Sequence, residues 1–133
     1  MLITKLELRN VKSYQEQTIT FEPGINAICG QNGAGKSTIL EAIGFALFDY
    51  LPYSQADFVR EGEKSGSVAV SLVSGRDDRP YQVIRRCGKS SGYEVFDPAL
   101  GAILAQNKAD VMDWLHEHLK LDESDSLSEL FLT

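Results

Sequence analysis

Hydrophobic and polar positions alternate from the start of the chain. Leu2, Thr4, Leu6 and Leu8 interleave with Lys5, Glu7 and Arg9, the period-2 pattern of a half-buried strand. Ile19 and Phe21 mark a second strand after a turn near Lys12–Tyr14. Pro23-Gly24 punctuates the chain, and the apolar run Ile25–Cys29 reads as a short buried strand. A glycine cluster, Gly30 to Gly35, follows it. From Lys36 to Phe48 the period becomes helical. Ile39, Ile43 and Leu47 form one stripe, and Leu40, Gly44 and Phe48 a neighbouring one. Glu41 is the only acid of this segment, so the helix is expected to be buried on more than one side. Gly44 costs about 1 kcal/mol there relative to alanine, which fits close backbone packing.

Residues 49–66, with Pro52 and Gly62, read as an irregular connection. Val68, Val70 and Leu72 alternate before Ser74-Gly75, and Tyr81, Val83 and Arg85 alternate after it. That is a hairpin with its loop around Gly75–Arg79. Tyr93–Phe96 extends it to a meander, with a turn at Asp97-Pro98. Asn107 is placed to cap a helix whose Val111, Leu115 and Leu119 share one face, with Asp110 in the first turn. The expected fold class is α/β: a mixed sheet with a phosphate loop and its helix, joined to an antiparallel β-meander in one core.

Composition narrows the function classes. The 133 residues have the length of one domain, and 43% hydrophobic with 24% charged residues is globular composition. Cys29 and Cys87 are far apart, which excludes a disulfide scaffold or a zinc ribbon. His116 and His118 are two apart, so they are expected on different helix faces as solvated surface rather than as a metal site. No apolar run reaches the ~20 residues of a membrane span, and the N-terminus has no signal-peptide pattern. The expected compartment is the reducing cytoplasm. Net charge is −6, which does not mark a nucleic-acid binder, but the acids crowd into residues 108–133. Arg76, Arg79, Arg85, Arg86 and Lys89 give residues 76–89 a local excess of positive charge. Arg85 and Arg86 alternate to opposite faces, so one of them points outward. This hairpin is a candidate contact for DNA phosphates, against the alternative of edge charge that blocks aggregation. Trp114 reads as helix packing, and Tyr53, Tyr81 and Tyr93 as residues serving the sheet.

The strongest motif is Gly30-Gln31-Asn32-Gly33-Ala34-Gly35-Lys36-Ser37, a full G-x-x-x-x-G-K-[ST]. A chance match in a chain this long is on the order of one in a few hundred. It also stands between a predicted strand and a predicted helix, as the motif requires. Glycines let backbone N–H groups wrap a phosphate, and the helix start adds its dipole. Lys36 supplies a point charge to the β- and γ-phosphates. Ser37 offers a hydroxyl to Mg²⁺, and Thr38 a second hydroxyl near the α-phosphate.

Residues Gly30–Phe48, GQNGAGKSTILEAIGFALF, resemble the ATP-binding-cassette ATPases of the SMC group. Leu6–Tyr14 is similar to that group's first strand and the basic-Ser turn after it, and Phe21–Asn26 to its lead-in to the phosphate loop. Asn32 and the LEAI-FALF run narrow the resemblance to SMC, RecF or SbcC types, and it is greatest to the N-terminal lobe of SbcC-type DNA double-strand-break repair ATPases. The resemblance implies ATP and Mg²⁺ as cofactors. It implies that Asn32, Gly33, Ala34, Gly35, Lys36, Ser37 and Thr38 wrap the phosphates, with Ser37 as the metal ligand. Lys12 and Ser13 would reach the nucleotide from the first turn, and Phe58-Val59-Arg60 would lie beside base and sugar. Glu41 reads as a helical acid rather than a catalytic base.

Hydrolysis in this superfamily also needs a strand ending in Asp-Glu, for Mg²⁺ and for water, and a Ser-Gly-Gly signature. Neither occurs in these residues, so no catalytic residue is assigned among them. Residues 1–133 are therefore expected to be one lobe of a longer protein with a coiled coil and a C-terminal lobe. The implied partners are that lobe, a second protomer closing on shared ATP, an SbcD-type nuclease and double-stranded DNA, with nucleoid association and no membrane. The alternatives are a chromosome-organising SMC protein, a RecF-type ATPase, or a nucleotide-gated clamp with negligible turnover.

Overall fold

A computed structural model describes residues 2–12, 14–21, 34–51, 53–74, 76–89 and 91–119. The elements are β1 (Leu2–Val11), β2 (Tyr14–Thr20), α1 (Ala34–Phe48), α2 (Gln55–Phe58), β3 (Ser65–Val73), β4 (Pro80–Gly88), β5 (Gly92–Asp97), β6 (Ala102–Ala105) and α3 (Lys108–Leu119). The strands form one six-stranded sheet in the order β2-β1-β3-β4-β5-β6. Every ladder among them is antiparallel. The two strands expected at the N-terminus, the helix after the glycine cluster, the hairpin, the third strand of the meander and the Asn107-capped helix are all present. The strand expected at Ile25–Cys29 lies outside the described residues.

Register explains why the sheet has one packed face. Leu6 pairs with Val70, Val70 with Val83, Val83 with Val95 and Val95 with Ala105, and all five are buried. These residues form a continuous apolar row across five strands, the arrangement that period-2 alternation demands of a one-sided antiparallel sheet. α1 lies on this face. Ala42 through Leu47 are buried at six consecutive positions, so the helix has packing on every side over that stretch. This matches the expectation from its lack of polar residues.

Two stretches differ from the pattern expected of them. Residues 49–66 hold the short helix α2 and the start of β3. Ser54 caps α2 by accepting from the Asp57 N–H at 3.4 Å, and Phe58 is buried against Phe45 with the rings edge-on at 5.5 Å. β6 was not expected, because Ala102, Ile103 and Leu104 are exposed at the sheet edge and carry no alternation. Among the described residues no helix is long and apolar enough to cross a membrane.

The next row of the sheet is Leu8–Val68–Arg85–Tyr93, which places a charged residue on the core face. Arg85 is only 7% exposed. Its guanidinium lies over the rings of Phe45 at 4.4 Å and Tyr93 at 4.2 Å. Nη1 donates to Asp49 Oδ1 at 2.7 Å, and Lys108 Nζ approaches Asp49 Oδ2 at 2.7 Å. Asp49 takes a left-handed backbone (φ 54) just beyond the end of α1, which ends the helix and turns the carboxylate toward Arg85. Burial pushes the Asp49 carboxyl up, but hydrogen bonds from Lys108 and Arg85 outweigh it and hold the group below its usual range. The Tyr93 hydroxyl donates to the Ala46 carbonyl, satisfying an acceptor in the last turn of α1. Burial pushes that hydroxyl up to about 12, so it stays a donor.

Arg86 points outward and pairs with Glu94, in agreement with the expected alternation. The positive excess of residues 76–89 is largely neutralised in three dimensions. Arg76 pairs with Glu117, Arg79 with Asp97 and Arg85 with Asp49. The hairpin therefore presents much less free positive charge than its composition implied.

His118 corrects the expectation of a solvated surface histidine. It is 8% exposed, its ring stacks on Trp114 at 4.0 Å, and its Nδ1 lies 3.1 Å from the buried Ser74 hydroxyl. The stretch of α3 that carries it folds back over the β3–β4 loop, where Tyr81 also meets both rings. His116 remains exposed. Trp114 serves packing, as its sequence context implied.

Asp49→Ala leaves a buried, unpaired guanidinium and is expected to cost about 3–5 kcal/mol. Lys108→Ala removes an exposed partner and is expected to cost under about 1 kcal/mol. Urea unfolding of the two variants checks the ratio, and equal losses would contradict the buried-pair account. A further expectation concerns pH. Burial lowers the His118 pKa below its ordinary 6.5, so the unfolded chain binds the proton first as pH falls. Stability should therefore drop as pH falls from about 6.5 toward the lower folded value. His118→Phe keeps a ring on Trp114 and should show a flatter dependence of Tm between about pH 7.5 and 5.5.

Candidate nucleotide site

Three segments converge around the turn that ends β1. Asn10 (φ 52) and Lys12 (φ 53) both take left-handed backbone, with the buried Val11 between them. Such a conformation costs a non-glycine residue roughly 1–2 kcal/mol, so surrounding contacts must hold it. They are present. The Lys12 N–H donates to the Phe58 carbonyl at 3.0 Å, the Arg60 N–H donates to the Asn10 carbonyl at 2.8 Å, and Val11 bridges Val59. The first turn and Phe58–Arg60 thus form one unit, and Lys12 and Arg60 are brought together at the backbone level.

Gly66 makes this docking possible. A Cβ at this position would stand 2.4 Å from the Asn10 carbonyl oxygen and 3.0 Å from that of Arg9. Only glycine lets β3 approach β1 this closely at the turn. The same Asn10 oxygen accepts the Arg60 N–H, so its position is fixed from two sides.

The third segment is α1, reached through Tyr53. Lys12 Nζ lies 3.9 Å from the centre of the Tyr53 ring. The Tyr53 hydroxyl donates to Glu41 Oε2, two turns into α1, at 2.6 Å. Burial and the Glu41 carboxylate push the Tyr53 pKa up, so the hydroxyl remains a donor at ordinary pH. Tyr53 therefore belongs to this site and not to the sheet, which corrects its expected place. Glu41 is half-buried and occupied by Tyr53, consistent with a helical acid.

Of the residues singled out for phosphate, Ser13, Asn32 and Gly33 lie outside the described residues, as do the side chains of Ala34, Gly35, Lys36 and Ser37. The backbone of the last four forms the first turn of α1, and Thr38 is buried in the turn that follows. The first N–H groups of a 15-residue helix have no acceptor within it, and no acidic side chain occupies this first turn. That donor set fits an anion. Tyr53 and Gly66 gave no sequence signal for a site. Both sit in residues 49–66, a stretch without period, and Gly66 has no side chain to interpret.

Residues 5–125 match the family described as an AAA domain. The chain belongs to this family. The AAA domain is similar to the DNA double-strand break repair Rad50 ATPase of Thermoplasma volcanium, 35% identical over 135 residues. That match covers 99% of this chain and 15% of the relative. The corresponding protein of Methanocaldococcus jannaschii is 33% identical over 138 residues, covering 99% of this chain and 13% of the relative. The one from Methanopyrus kandleri is 38% identical over 91 residues, covering 68% and 10%. The chain thus spans about an eighth of the length of these relatives. Its resemblance to the SMC group, on the Rad50 side, is borne out. A solved structure of the recombination mediator protein RecF with bound ATPrS superposes with a TM-score of 0.64 at 22% identity, over 77% of this chain and 27% of that one. This supports the ABC-ATPase type of P-loop fold.

Gly66→Ala is expected to destabilise the protein by about 1–3 kcal/mol, because a backbone oxygen must move. Gly92→Ala meets only the flexible Arg86 side chain, at 3.3 Å, and should stay within about 0.5 kcal/mol of the parent. Urea midpoints of the two variants decide whether the close approach at Asn10 is a constraint.

Proposed function

We propose that residues 1–133 are the ATP-binding, N-terminal lobe of an ATPase head that acts in DNA double-strand-break repair. The observation that carries this reading is the docking of the Asn10–Lys12 turn onto Phe58–Arg60, with Lys12 linked through Tyr53 and Glu41 to the helix that follows the G-x-x-x-x-G-K-S motif. The first turn of α1 supplies backbone donors for phosphate. In this reading Asn32, Gly33, Ala34, Gly35, Lys36, Ser37 and Thr38 surround the polyphosphate of ATP. Lys12 and Ser13 add contacts from the first turn, and Arg60 from the segment docked on it. Ser37 would hold Mg²⁺, which when bound neutralises charge between the outer phosphates.

The rest of the head would come from elsewhere in the longer protein. A C-terminal lobe supplies the carboxylates that orient water, and a second protomer closes over the same nucleotide. Closure on ATP and opening after hydrolysis would be passed to a nuclease of the SbcD type and to duplex DNA in the cytoplasm. The names of the Rad50 relatives support the repair assignment. The RecF likeness favours one second reading, a RecF-type ATPase with the same chemistry and no nuclease. A long coiled coil following these residues would support the first reading, and its absence the second.

Lys36→Ala in the intact protein is expected to lower ATP turnover by at least about a hundredfold, because the phosphates lose a positioned charge. Residues 1–133 alone should release no phosphate from ATP, and adding the C-terminal lobe in cis or as a separate chain should restore Mg²⁺-dependent release. Turnover by the fragment alone that disappears in its Lys36→Ala form would show a catalytic carboxylate within these residues.

A further inference from the structure

Tyr53 touches two chemically different partners with its two ends. The ring face receives the Lys12 ammonium at 3.9 Å, and the hydroxyl is bonded to Glu41 at 2.6 Å. The ring also lies against Phe58, with centroids 6.3 Å apart, so it is seated on the segment to which the first turn docks. A lysine side chain is flexible, and that freedom is lost whenever its ammonium must stand at one point. A ring fixed at both its edge and its face limits that freedom before any ligand arrives. Lys12 is constrained at its base as well, by left-handed backbone and the N–H bond to Phe58.

We propose that Tyr53 is a positioning residue of the nucleotide site: its ring preorganises the Lys12 ammonium for the polyphosphate, and its hydroxyl anchors that ring to α1 through Glu41. This rests on the reading of Lys12 as a nucleotide contact. Tyr53 touches no phosphate in this scheme and acts only through Lys12. The work of the pair is in binding the anion, and the ring face is what the ammonium uses. Phenylalanine should therefore preserve most of the effect and leucine none of it.

The test is calorimetric titration of the intact protein with ATP, in the parent and in the Lys12→Ala, Tyr53→Leu, Tyr53→Phe and Lys12→Ala/Tyr53→Leu variants. Tyr53→Leu is expected to weaken ATP binding about three- to tenfold, and Tyr53→Phe to recover most of that loss. In the Lys12→Ala background Tyr53→Leu should add less than about a twofold change, because the group it positions is gone. An equal loss with and without Lys12 would reduce Tyr53 to a packing residue and overturn the proposal. So would parent-like affinity in Tyr53→Leu. If Tyr53→Leu fails to fold, the comparison of Tyr53→Phe with the parent, in both Lys12 backgrounds, replaces it: near-parent binding supports the ring as the working part, and a loss equal to that of Lys12→Ala overturns it. Lys36→Ala is carried alongside. If it leaves ATP affinity unchanged, the nucleotide-site reading itself fails. If it abolishes binding while the Tyr53 variants behave like the parent, only the positioning role is lost.

Discussion

The sheet register constrains everything else in this chain. Side chains alternate with a period of two, so a slip of one residue in any ladder would turn the row Leu6–Val70–Val83–Val95–Ala105 toward solvent. The same register carries Arg85 inward beside Val68 and Tyr93. A buried guanidinium needs a counter-charge, and the structure answers with Asp49 just beyond α1, whose other carboxylate oxygen pairs with Lys108 at the start of α3. One strand position thereby joins both long helices to the sheet. Its aromatic flanks, Phe45 and Tyr93, come from the helix and the neighbouring strand, so the charge is enclosed by groups that the register had already brought together.

Where β1 ends the logic is different. The Asn10–Lys12 turn is not stabilised by burying apolar side chains alone. Two of its three residues are left-handed, and the turn persists because Gly66 leaves room for the Asn10 carbonyl and Phe58–Arg60 supplies backbone partners. Local strain held by distant contacts is the arrangement found where a chain must present a side chain in one place. Here the presented side chain is Lys12.

Much of this is legible in the residues alone. The alternation at Val68–Leu72 and Tyr81–Arg85 set the hairpin, and the apolar stretch after Lys36 set a buried helix, because both follow from burial on a known period. The phosphate motif was legible because its spacing is its mechanism. What escaped was whatever depends on distant pairs. Counting charge in residues 76–89 could not see Glu117 across from Arg76 or Asp97 across from Arg79. His118 read as solvated because Tyr81 on β4 meets it only after α3 docks, although Trp114 lies one turn before it on the same helix face. β6 escaped because a four-residue edge strand with exposed Ile103 and Leu104 turns only Ala105 inward, too little to show a period. Tyr53 escaped for a related reason: a residue in a stretch without period has no predicted direction.

These attachments decide which parts of the lobe can respond to a ligand. α1 is buried at six consecutive positions and tied near its end by Tyr93, Arg85 and Lys108. Close-packed interiors do not deform continuously, so this stretch of α1 cannot shift without carrying the sheet with it. The turn bearing Lys12 is held by the buried Val11 together with a few hydrogen bonds and one ring, the latter contacts worth about 1 kcal/mol each. Of the two segments joined through Tyr53, the buried stretch of α1 is held by the core and the Asn10–Lys12 turn by local backbone contacts. Tyr53, bonded to α1 at its hydroxyl and holding Lys12 on its face, is where the two meet.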